Sequence, residues 1–439
     1  MISSLKHRNR INISGISFLI ILISFKSSNA WSDLPIGNEL FWWVVQFIFI
    51  CILLTIKRYY TSSKIEKKLI FVRLYVYWNV ICIIRGALVA ENYWEWKMLF
   101  ATSFVLLLPL LVYLSNSLLS IQVIIKIWFK YALFLFIMIL PFLWGDAIGK
   151  FLMPFTFLLF FYPALNKKWK IITLLVALFV ITFDLSARSN VIKFVIPFLI
   201  GLLFYINKIL SVKLLNLVRL LLLFVPILLF ILAISNIFNV FKLDEYLGEQ
   251  QTQVKTNTGQ VSDENLTADT RTFLYVEVIQ SAIKNNYVFL GRTPARGNDS
   301  VTFGDYNKEK LNTGKQERFS NEVSILNIFT WLGLVGVLFY FLIFIKASYL
   351  AINHSNNFFI KLMGINVAFR WAYGWVEDFS VFDLSNIFLW IMIGMCFSES
   401  FRKMNDKEIK IWVLGIFQKT KAAPNKMMYS SIGYNKLKF

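Results

Sequence analysis

The chain has 439 residues, of which 57% are hydrophobic and only 16% are charged, and its mean hydropathy is +0.62. No soluble core is large enough to hide that fraction of apolar surface, so a soluble domain is excluded and a polytopic membrane protein is indicated. The formal net charge of +20 lies mostly in short loops between apolar runs, which is typical of the positive-inside pattern and not of nucleic-acid binding.

The first apolar run has two interpretations. A basic start, an apolar stretch over 11–25 and then Ser28, Asn29 and Ala30 fit both a cleavable signal peptide and a retained first helix. Both interpretations leave the next segment starting on the outer side of the membrane.

The apolar runs predict an all-α integral membrane protein with about twelve transmembrane helices and both chain ends in the cytoplasm. Each run is long enough, or nearly so, to cross a hydrocarbon core of about 30 Å at about 1.5 Å per helical residue. The stretch 121–130 is predicted to turn at the cytoplasmic face. The predicted spans are 11–25, 40–56, 69–90, 98–114, 131–144, 151–165, 171–185, 191–206, 217–241, 325–345, 359–376 and 384–397.

These spans fall into two groups around one polar loop. Residues 1–241 are predicted to hold about nine spans and residues 321–397 about three, with a large outward-facing loop over 242–320 between them. The basic tail, 398–439, is expected to be cytoplasmic and largely unstructured, with a surface-lying segment around 409–417.

The polar loop changes character along its length. Its first part, 249–265, is poor in apolar residues and is predicted to be a mobile flap. From Asp269 onward, apolar residues recur at three- and four-residue spacing, which predicts an amphipathic helix that Thr267 or Asp269 caps and that ends before Asn285. Such a helix fits a lid over a membrane cavity. Its apolar positions are Phe273, Val276, Ile279, Ala282 and Ile283.

Several arginines occupy positions predicted to be outside or near the outer surface. Arg85 lies near the outer end of its span, where it needs either that surface or a polar cavity. Arg292 and Arg296 lie in the irregular loop after the amphipathic helix, together with Gly291 and Pro294, and they could gather an anionic ligand.

Cysteine and histidine usage limits the chemistry. Cys51, Cys82 and Cys396 lie in apolar stretches and are unpaired by spacing, which argues against a disulfide framework and a metal site. His7 and His354, the only histidines, fall in segments predicted to be cytoplasmic. We therefore expect no metal, no cofactor and no histidine-based chemistry on the outer face.

Three outer segments carry a resemblance to a known family. LSARSN (185–190) is similar to a Ser-Arg segment at an outer helix end, and DTRTFLYVEVIQSAIKNNYVFLGRTP (269–294) is similar to an Arg-led periplasmic helix followed by a Gly loop. NEVSILNIFTWLGLVG (321–336) is similar to a motif in which a polar residue opens a helix and Leu-Gly-x-x-Gly follows. Together they resemble the O-antigen polymerase and O-antigen ligase superfamily, membrane glycosyltransferases that act on undecaprenyl-diphosphate-linked glycans at the periplasmic face of the bacterial inner membrane.

The resemblance implies transfer of a growing glycan from its lipid diphosphate to the non-reducing end of the next repeat unit. The planar fork of arginine suits the leaving diphosphate, and Arg188 and Arg271 are the candidates for that task. Glu322 is the candidate general base, because it follows the plausible N-cap Ser320 and is expected in the first turn of a helix whose positive end holds it ionised. Ligases of the superfamily carry a histidine at this position, so Glu322 resembles the acidic variant of the polymerases.

Substrate binding is expected to involve further polar residues at outer helix ends and in the loop. Ordinary explanations remain open for the three catalytic candidates: a snorkelling charge for Arg188, a solvated helix residue for Arg271 and helix capping for Glu322. For Glu377 and Asp378 the ordinary explanation is an interfacial charge pair. The expected substrate-binding residues are Arg85, Arg292, Arg296, Asn321, Glu377 and Asp378.

The expected function is polymerisation of O-antigen or capsular repeat units. The expected partners are undecaprenyl-diphosphate-linked glycans, as donor and acceptor, and membrane lipids, with a chain-length regulator and a flippase of the same pathway as further candidates. The alternatives left open are an O-antigen ligase, a polysaccharide flippase or other transporter, and a non-catalytic assembly subunit. A flippase would not need a large outer insert led by an arginine helix, and its charged residues should lie at the membrane midplane, where this sequence has few.

Overall fold

The computed structural model describes residues 2–60, 63–183, 188–235, 237–242, 245, 248, 251–255, 261–265, 269, 271–310 and 313–418, and it is about 76% helical. The helices in chain order are α1 Ile2–Ser28, α2 Glu39–Tyr60, α3 Ser63–Lys68, α4 Ile70–Val89, α5 Tyr93–Leu106, α6 Leu111–Leu114, α7 Leu118–Ile139, α8 Ala147–Phe151, α9 Pro154–Phe160, α10 Lys167–Phe183, α11 Arg188–Leu202, α12 Val212–Ile234, α13 Thr272–Lys284, α14 Gly304–Lys310, α15 Ser324–Asn353, α16 Phe358–Tyr373, α17 Leu384–Phe397, α18 Glu399–Lys403 and α19 Asp406–Gly415.

Short elements complete the secondary structure. The strands form two antiparallel pairs, β1 Gln251–Lys255 with β2 Val261–Asn265, and β3 Asn298–Asp299 with β4 Glu317–Arg318. The first pair lies in the segment predicted to be a flap, so that segment contains regular structure that its polar composition did not predict. The 3-10 helices are Asn29–Trp31, Leu108–Leu110, Leu140–Phe142, Tyr162–Ala164 and Leu203–Ile206.

Eight helical segments of the described residues are long and apolar enough to cross a membrane, which agrees with the predicted all-α membrane protein. The predicted spans over 151–165, 171–185, 359–376 and 384–397 fall on shorter or broken helices, so the total of about twelve stays a prediction. The eight segments are Ile13–Trp31, Glu39–Arg58, Ile70–Val89, Tyr93–Leu114, Leu118–Phe142, Arg188–Ile206, Val212–Ile234 and Ser324–Asn353.

Helix α17 lies at the centre of the bundle, where it packs against α1, α6, α15 and α16. All of its residues are buried, which is possible because the run Leu384–Phe397 contains no charged side chain. Helix α12 is the opposite case, because only 11% of its span is buried and its exposed leucines and isoleucines cover the outside of the bundle. Such a surface suits lipid and not water.

The predicted turn over 121–130 is wrong, because helix α7 is continuous through it. Ile121, Ile124, Ile125 and Trp128 form a stripe at three- and four-residue spacing that is fully buried. The indole N–H of Trp128 also donates a hydrogen bond to the Ser24 hydroxyl at 2.9 Å, which fastens the helix to α1. The two lysines of this stretch, at 126 and 130, lie away from the buried stripe.

The predicted span over 151–165 is a broken helix. Helix α8 ends at Phe151, α9 begins at Pro154, and a 3-10 turn containing Pro163 follows. Proline has no backbone N–H and so cannot continue the hydrogen-bond ladder of a helix. The segment Ala147–Phe161 is buried throughout apart from the partly exposed Lys150.

The polar insert contains the predicted amphipathic helix, α13. The Asp269 side chain accepts hydrogen bonds from the backbone N–H groups of Arg271 and Thr272 at 3.0 and 2.8 Å, and the helix ends at Lys284, directly before Asn285. Thr267 lies outside the described residues.

The buried face of α13 differs from the predicted one. Leu274, Tyr275, Val278 and Ala282 are buried, whereas Val276 is 44% exposed. The sequence offers two apolar stripes, and the structure uses the one that contains Tyr275, whose hydroxyl donates a hydrogen bond to the carbonyl of Trp375.

Helix α15 begins at Ser324 and not near Ser320, so Glu322 does not lie in its first turn. Instead, the backbone N–H groups of Ser324 and Ile325 donate hydrogen bonds at 3.2 Å to the carbonyls of Glu377 and Gly374. These distant carbonyls satisfy N–H groups that a helix start leaves without partners and thereby fix where the helix begins.

The prediction of a largely unstructured tail is wrong for 399–415, which is mostly helical. A capping box starts α19, because the Asn405 side chain accepts from the N–H of Glu408 while Glu408 accepts from the N–H of Asn405. The indole N–H of Trp412 donates a hydrogen bond to the carbonyl of Leu118 at 3.0 Å and fastens α19 to α7. Residues 419–439 lie outside the described part of the chain.

Candidate active site

A cavity of about 740 Å³ lies at one end of the bundle, between the helix ends and the insert. Segments that the sequence predicts on the outer side border it: the end of α1, the starts of α8 and α11, the insert, and the loop 374–383 between α16 and α17. The charged residues that line it are Lys26, Lys150, Arg188, Lys193, Arg271, Arg318, Asp146, Glu322, Glu377, Asp378 and Asp383.

The cavity brings together most of the residues singled out from the sequence. All three catalytic candidates, Arg188, Arg271 and Glu322, line it, although they lie far apart along the chain. Three of the six candidates for substrate binding, Asn321, Glu377 and Asp378, also line it. The other three, Arg85, Arg292 and Arg296, do not line the cavity.

Arg188 is the first residue of α11, and its side chain is exposed. Within the described part of the chain, no carboxylate or carbonyl pairs with its guanidinium. The positive end of a helix also favours an anion at this place. An unneutralised guanidinium in a cavity is well suited to bind a phosphate group.

Glu322 is held between two arginines of the insert. Its carboxylate forms an ion pair with Arg271, and its other oxygen lies 3.4 Å from a terminal nitrogen of Arg318. Arg318 also donates a hydrogen bond to the carbonyl of Ser320 at 3.1 Å, and burial lowers the pKa of its guanidinium. Since Glu322 is 56% exposed, this cluster forms the solvent-facing wall of the cavity.

A second ion pair crosses the cavity between α11 and the loop 374–383. The Lys193 ammonium lies 2.9 Å from the Glu377 carboxylate and 3.1 Å from the Ser189 hydroxyl, and only 7% of the lysine side chain is exposed. Lys193 was not among the residues predicted from the sequence. Its signal was a lysine inside the otherwise apolar helix α11, because an ionisable residue in such a segment usually has a partner and a function.

Asp378 lies between two serines at the start of α15. One oxygen, Oδ1, accepts a hydrogen bond from the backbone N–H of Ser380 at 2.7 Å and one from the Ser380 hydroxyl, and it lies 3.4 Å from the Ser324 hydroxyl. Burial raises the pKa of this carboxyl group to about 6, because the hydrogen bonds offset the loss of water only in part.

Three further charged residues of the cavity wall were missed from the sequence. Asp146 pairs with Lys150 at 3.4 Å and accepts a hydrogen bond from the Asn190 side chain at 3.1 Å. Asp383 caps α17 by accepting from the N–H of Asn386 at 2.8 Å, and burial raises the pKa of its carboxyl group. Asp146 precedes the short helix α8 and Lys150 lies within it, but in the sequence this stretch resembles any exposed turn, so it contained no signal for them.

Another missed residue, Lys26, lies near the end of α1. Its ammonium reaches the carbonyl of Phe382 at 3.4 Å, and it forms no ion pair with a described residue. A lysine at the end of the apolar run over 11–25 was a readable signal of the same kind as Lys193.

The insert is fixed to the bundle by a break in α15. Gly333 has a φ of +67°, which interrupts the helix, and the loop 288–292 fills the break. The N–H groups of Leu334 and Val335 donate to the carbonyls of Val288 and Phe289 at 2.9 and 3.2 Å. Backbone groups freed by the break are thus paired with the insert, as a segment inside a membrane protein requires.

Arg85 belongs to this junction. Its guanidinium donates hydrogen bonds to the carbonyls of Leu290 and Gly291 at 2.6 and 3.1 Å. The indole N–H of Trp78, on the same helix, donates to the carbonyl of Leu332 at 2.9 Å. The structure therefore gives Arg85 a fastening role.

Arg292 and Arg296 belong to a buried charge cluster behind the cavity wall. Both pair with Glu317, which is 4% exposed, and Arg292 also lies 2.7 Å from Asp299. Arg296 lies 3.6 Å from Glu95, which lies in the first turn of α5 and is 1% exposed. Because these guanidinium groups are already paired, their contribution is to hold the insert against the bundle.

Among the described residues, no three His, Cys, Asp or Glu side chains come together as a metal site. No family model matches the chain, and comparison with curated proteins and with solved structures finds no match either.

Proposed function

We propose that this protein is a membrane glycosyltransferase of the O-antigen polymerase type. It joins undecaprenyl-diphosphate-linked repeat units into O-antigen or capsular polysaccharide. The observation that carries this proposal is the single cavity that collects Arg188, Arg271 and Glu322, one from each of the three segments that resemble the superfamily.

The proposed topology places about twelve spans in the bacterial inner membrane, with both chain ends in the cytoplasm. The cavity and the insert then face the periplasm, where lipid-linked repeat units are available. Basic loops at the opposite end of the bundle support this orientation, for example the run after α2 and the start of α10.

The chemistry needs a cationic group for the leaving diphosphate and a base for the attacking hydroxyl. Arg188 supplies a guanidinium at a helix start that pairs with no carboxylate of the described residues, and Arg271, which is paired with Glu322, supplies a second guanidinium at the start of α13. The donor arrives as an activated lipid diphosphate, so the reaction needs neither a nucleotide nor a metal-bound nucleophile. The five carboxylates of the cavity are the candidates for the base.

The same geometry weighs against two alternatives. A ligase of this superfamily would use a histidine, whereas His354 follows the last residue of α15, at the end away from the cavity, and does not line it. A flippase would concentrate its charged residues midway along the bundle, whereas here they gather at the helix ends next to the insert.

A gel of lipopolysaccharide from the source bacterium tests the function. The gene is deleted and then complemented with wild type, Arg188→Ala, Arg271→Ala or Glu322→Gln, and the level of each protein in the membrane is measured. We expect the deletion to leave core oligosaccharide bearing a single repeat unit, and we expect Arg188→Ala to restore little polymer.

Other products would identify a different function. Bare core with polymer accumulating on the lipid carrier would identify a ligase, and repeat units trapped inside the cell would identify a flippase. Normal polymer in the deletion strain would refute a role in this pathway.

A further inference from the structure

The cavity has five carboxylates, and four of them already hold a defined partner. For three of them the partner is a lysine or arginine in an ion pair, and the fourth caps the start of a helix. The four are Asp146 with Lys150, Glu322 with Arg271 and Arg318, Glu377 with Lys193, and Asp383 with the backbone N–H of Asn386.

Asp378 is the fifth; it differs from the three ion-paired acids in the charge of its partners, and from Asp383 in that it does not cap a helix. No lysine or arginine forms an ion pair with it in the described part of the chain. Its oxygen Oδ1 instead contacts neutral groups, namely the N–H and hydroxyl of Ser380 and the hydroxyl of Ser324. Neutral donors orient a carboxylate without neutralising its charge.

The start of α15 adds to this arrangement. Ser324 is the first residue of that helix, and its hydroxyl lies 3.4 Å from Asp378. The positive end of the helix stabilises a nearby negative charge, while partial burial opposes it. The sequence predicted Glu322 in this position, whereas the structure has Asp378 there.

We propose that Asp378, and not Glu322, accepts the proton of the acceptor hydroxyl. This assignment rests on the proposed function. As the acceptor oxygen forms its bond to the anomeric carbon of the donor glycan, its O–H proton passes to the carboxylate of Asp378. The bond from the anomeric carbon to the diphosphate oxygen breaks, and its electron pair leaves with the lipid diphosphate.

Glu322 then has a positioning role. Its carboxylate bridges Arg271 and Arg318, so it holds two guanidinium groups of the insert at the solvent-facing wall of the cavity. Its removal should change how the donor binds more than it changes proton transfer.

The pH dependence distinguishes the two acids. A general base works only when ionised, so the transfer rate should rise with pH through the pKa of the base and then level off. For Asp378 that pKa is about 6, and burial is the largest cause of its rise above the ordinary value. The charged or titratable groups around its loop are Lys26 of α1, Lys193 of α11, Tyr340 of α15, Arg370 of α16, and Glu377 and Asp383 of the loop itself.

The test uses the full-length protein in liposomes, with undecaprenyl-diphosphate-linked repeat units extracted from the source bacterium. Initial elongation rates are measured between pH 5 and 9 for wild type, Asp378→Asn, Asp378→Glu and Glu322→Gln. Binding of undecaprenyl diphosphate is measured for the same samples. Asp305→Asn is the matched control, because Asp305 is an exposed carboxylate of the insert that does not line the cavity.

We expect Asp378→Asn to bind undecaprenyl diphosphate like wild type but to transfer about 10²- to 10⁴-fold more slowly, without the rise in rate around pH 6. Asp378→Glu keeps a carboxylate and should recover at least about tenfold of that loss. Glu322→Gln should keep the rise in rate with pH, and Asp305→Asn should follow wild type.

Two results would overturn the assignment while leaving the function intact. One is a rate for Asp378→Asn within about threefold of wild type, and the other is a rise with pH that disappears in Glu322→Gln but persists in Asp378→Asn. An Asp378→Glu protein that is folded and binds the lipid but is no faster than Asp378→Asn would also count against it. A wild-type protein that makes no polymer from these lipids would overturn both the proposed function and the assignment.

Discussion

Gly291 of the insert and Gly333 of α15 are in direct backbone contact. A Cβ atom on Gly333 would lie 2.3 Å from the backbone nitrogen of Gly291, and a Cβ atom on Gly291 would lie 2.5 Å from the backbone nitrogen of Gly333. Both residues also have positive φ values, of +73° and +67°. Only glycine satisfies both conditions, so this contact fixes where the insert joins the bundle.

Gly333→Ala should destabilise the protein strongly. A methyl group there meets backbone atoms that cannot move aside, and the positive φ adds strain, so we expect a loss of more than about 4 kcal/mol or a failure to fold. The measurement is thermal unfolding in detergent.

Gly314→Ala is the matched control, because Gly314 has a similar φ of +69° but nothing within 4 Å of the new methyl group. It should cost only about 1 kcal/mol. Equal effects of the two substitutions would show that strain, and not the contact, matters at Gly333.

Glu95→Gln should weaken the attachment of the insert far more than Glu91→Gln. Both carboxylates pair with Lys315, at 2.6 and 2.8 Å, but Glu95 is 1% exposed and Glu91 is 72% exposed. Removal of a buried carboxylate from a charge cluster leaves its cations unpaired. We therefore expect Glu95→Gln to lower the free energy of unfolding by about 2 kcal/mol. Thermal unfolding and protease cleavage within the insert would detect it. Similar behaviour of the two variants would mean that the cluster does not hold the insert.

Arg188→Ala should weaken binding of undecaprenyl diphosphate without changing stability. Its guanidinium has no partner in the described structure, so nothing in the fold is lost, while a charge-assisted contact with the lipid diphosphate is lost. We expect a Kd about 10- to 100-fold higher, which corresponds to about 1.5–3 kcal/mol. Equilibrium binding to the purified protein measures it. Lys310→Ala removes an exposed cation of the insert outside the cavity and should leave the Kd unchanged; an equal effect there would point to a general charge effect.

Asp378→Asn should make the protein more stable near neutral pH. The folded-state pKa of about 6 exceeds the ordinary value of 3.8. Between these two pH values, Asp378 is therefore protonated in the folded protein and ionised in the unfolded chain. Protonated Asp378 therefore makes its full contribution to the stability of the folded state below about pH 4, and this contribution is lost as the pH rises through about 6. An asparagine avoids that loss, and we expect a gain on the order of 2 kcal/mol at pH 7. Unfolding at pH 4 and pH 7 measures it, and a gain of the same size at both pH values would contradict the assignment of this pKa.

Local patterns predicted the elements whose signals lie within the element itself. Helix α13 ends where Asn285 follows it, and Asp269 caps its start, because caps are determined by neighbours in sequence. The loop with Gly291 and Arg292 also lies where the sequence predicted it. The face of α13 that is buried could not be predicted, since the helix has apolar residues on two sides and a distant carbonyl, that of Trp375, selects one of them.

The site was predicted in part for the same reason. Arg188, Arg271 and Glu322 were found from local motifs, but the start of α15 depends on carbonyls of the loop 374–377, which lie about fifty residues further along the chain. The pairing of Lys193 with Glu377 spans 184 positions. Such contacts are fixed by the packing of helices, and a single sequence contains no record of which loops meet.

The break in α15 also sets an order for making the protein. Ribosomes synthesise the insert before α15, so the loop 288–292 has no helix to enter when it first reaches the periplasm in the proposed topology. Asp378 and Glu377 emerge later still, between the last two helices of the bundle, and until then Lys193 has no counter-charge. A nascent chain that stops before α15 is therefore a membrane bundle with an undocked insert, and one that stops before the loop 374–383 lacks one wall of the cavity. The protein becomes complete only when its C-terminal helices have been inserted.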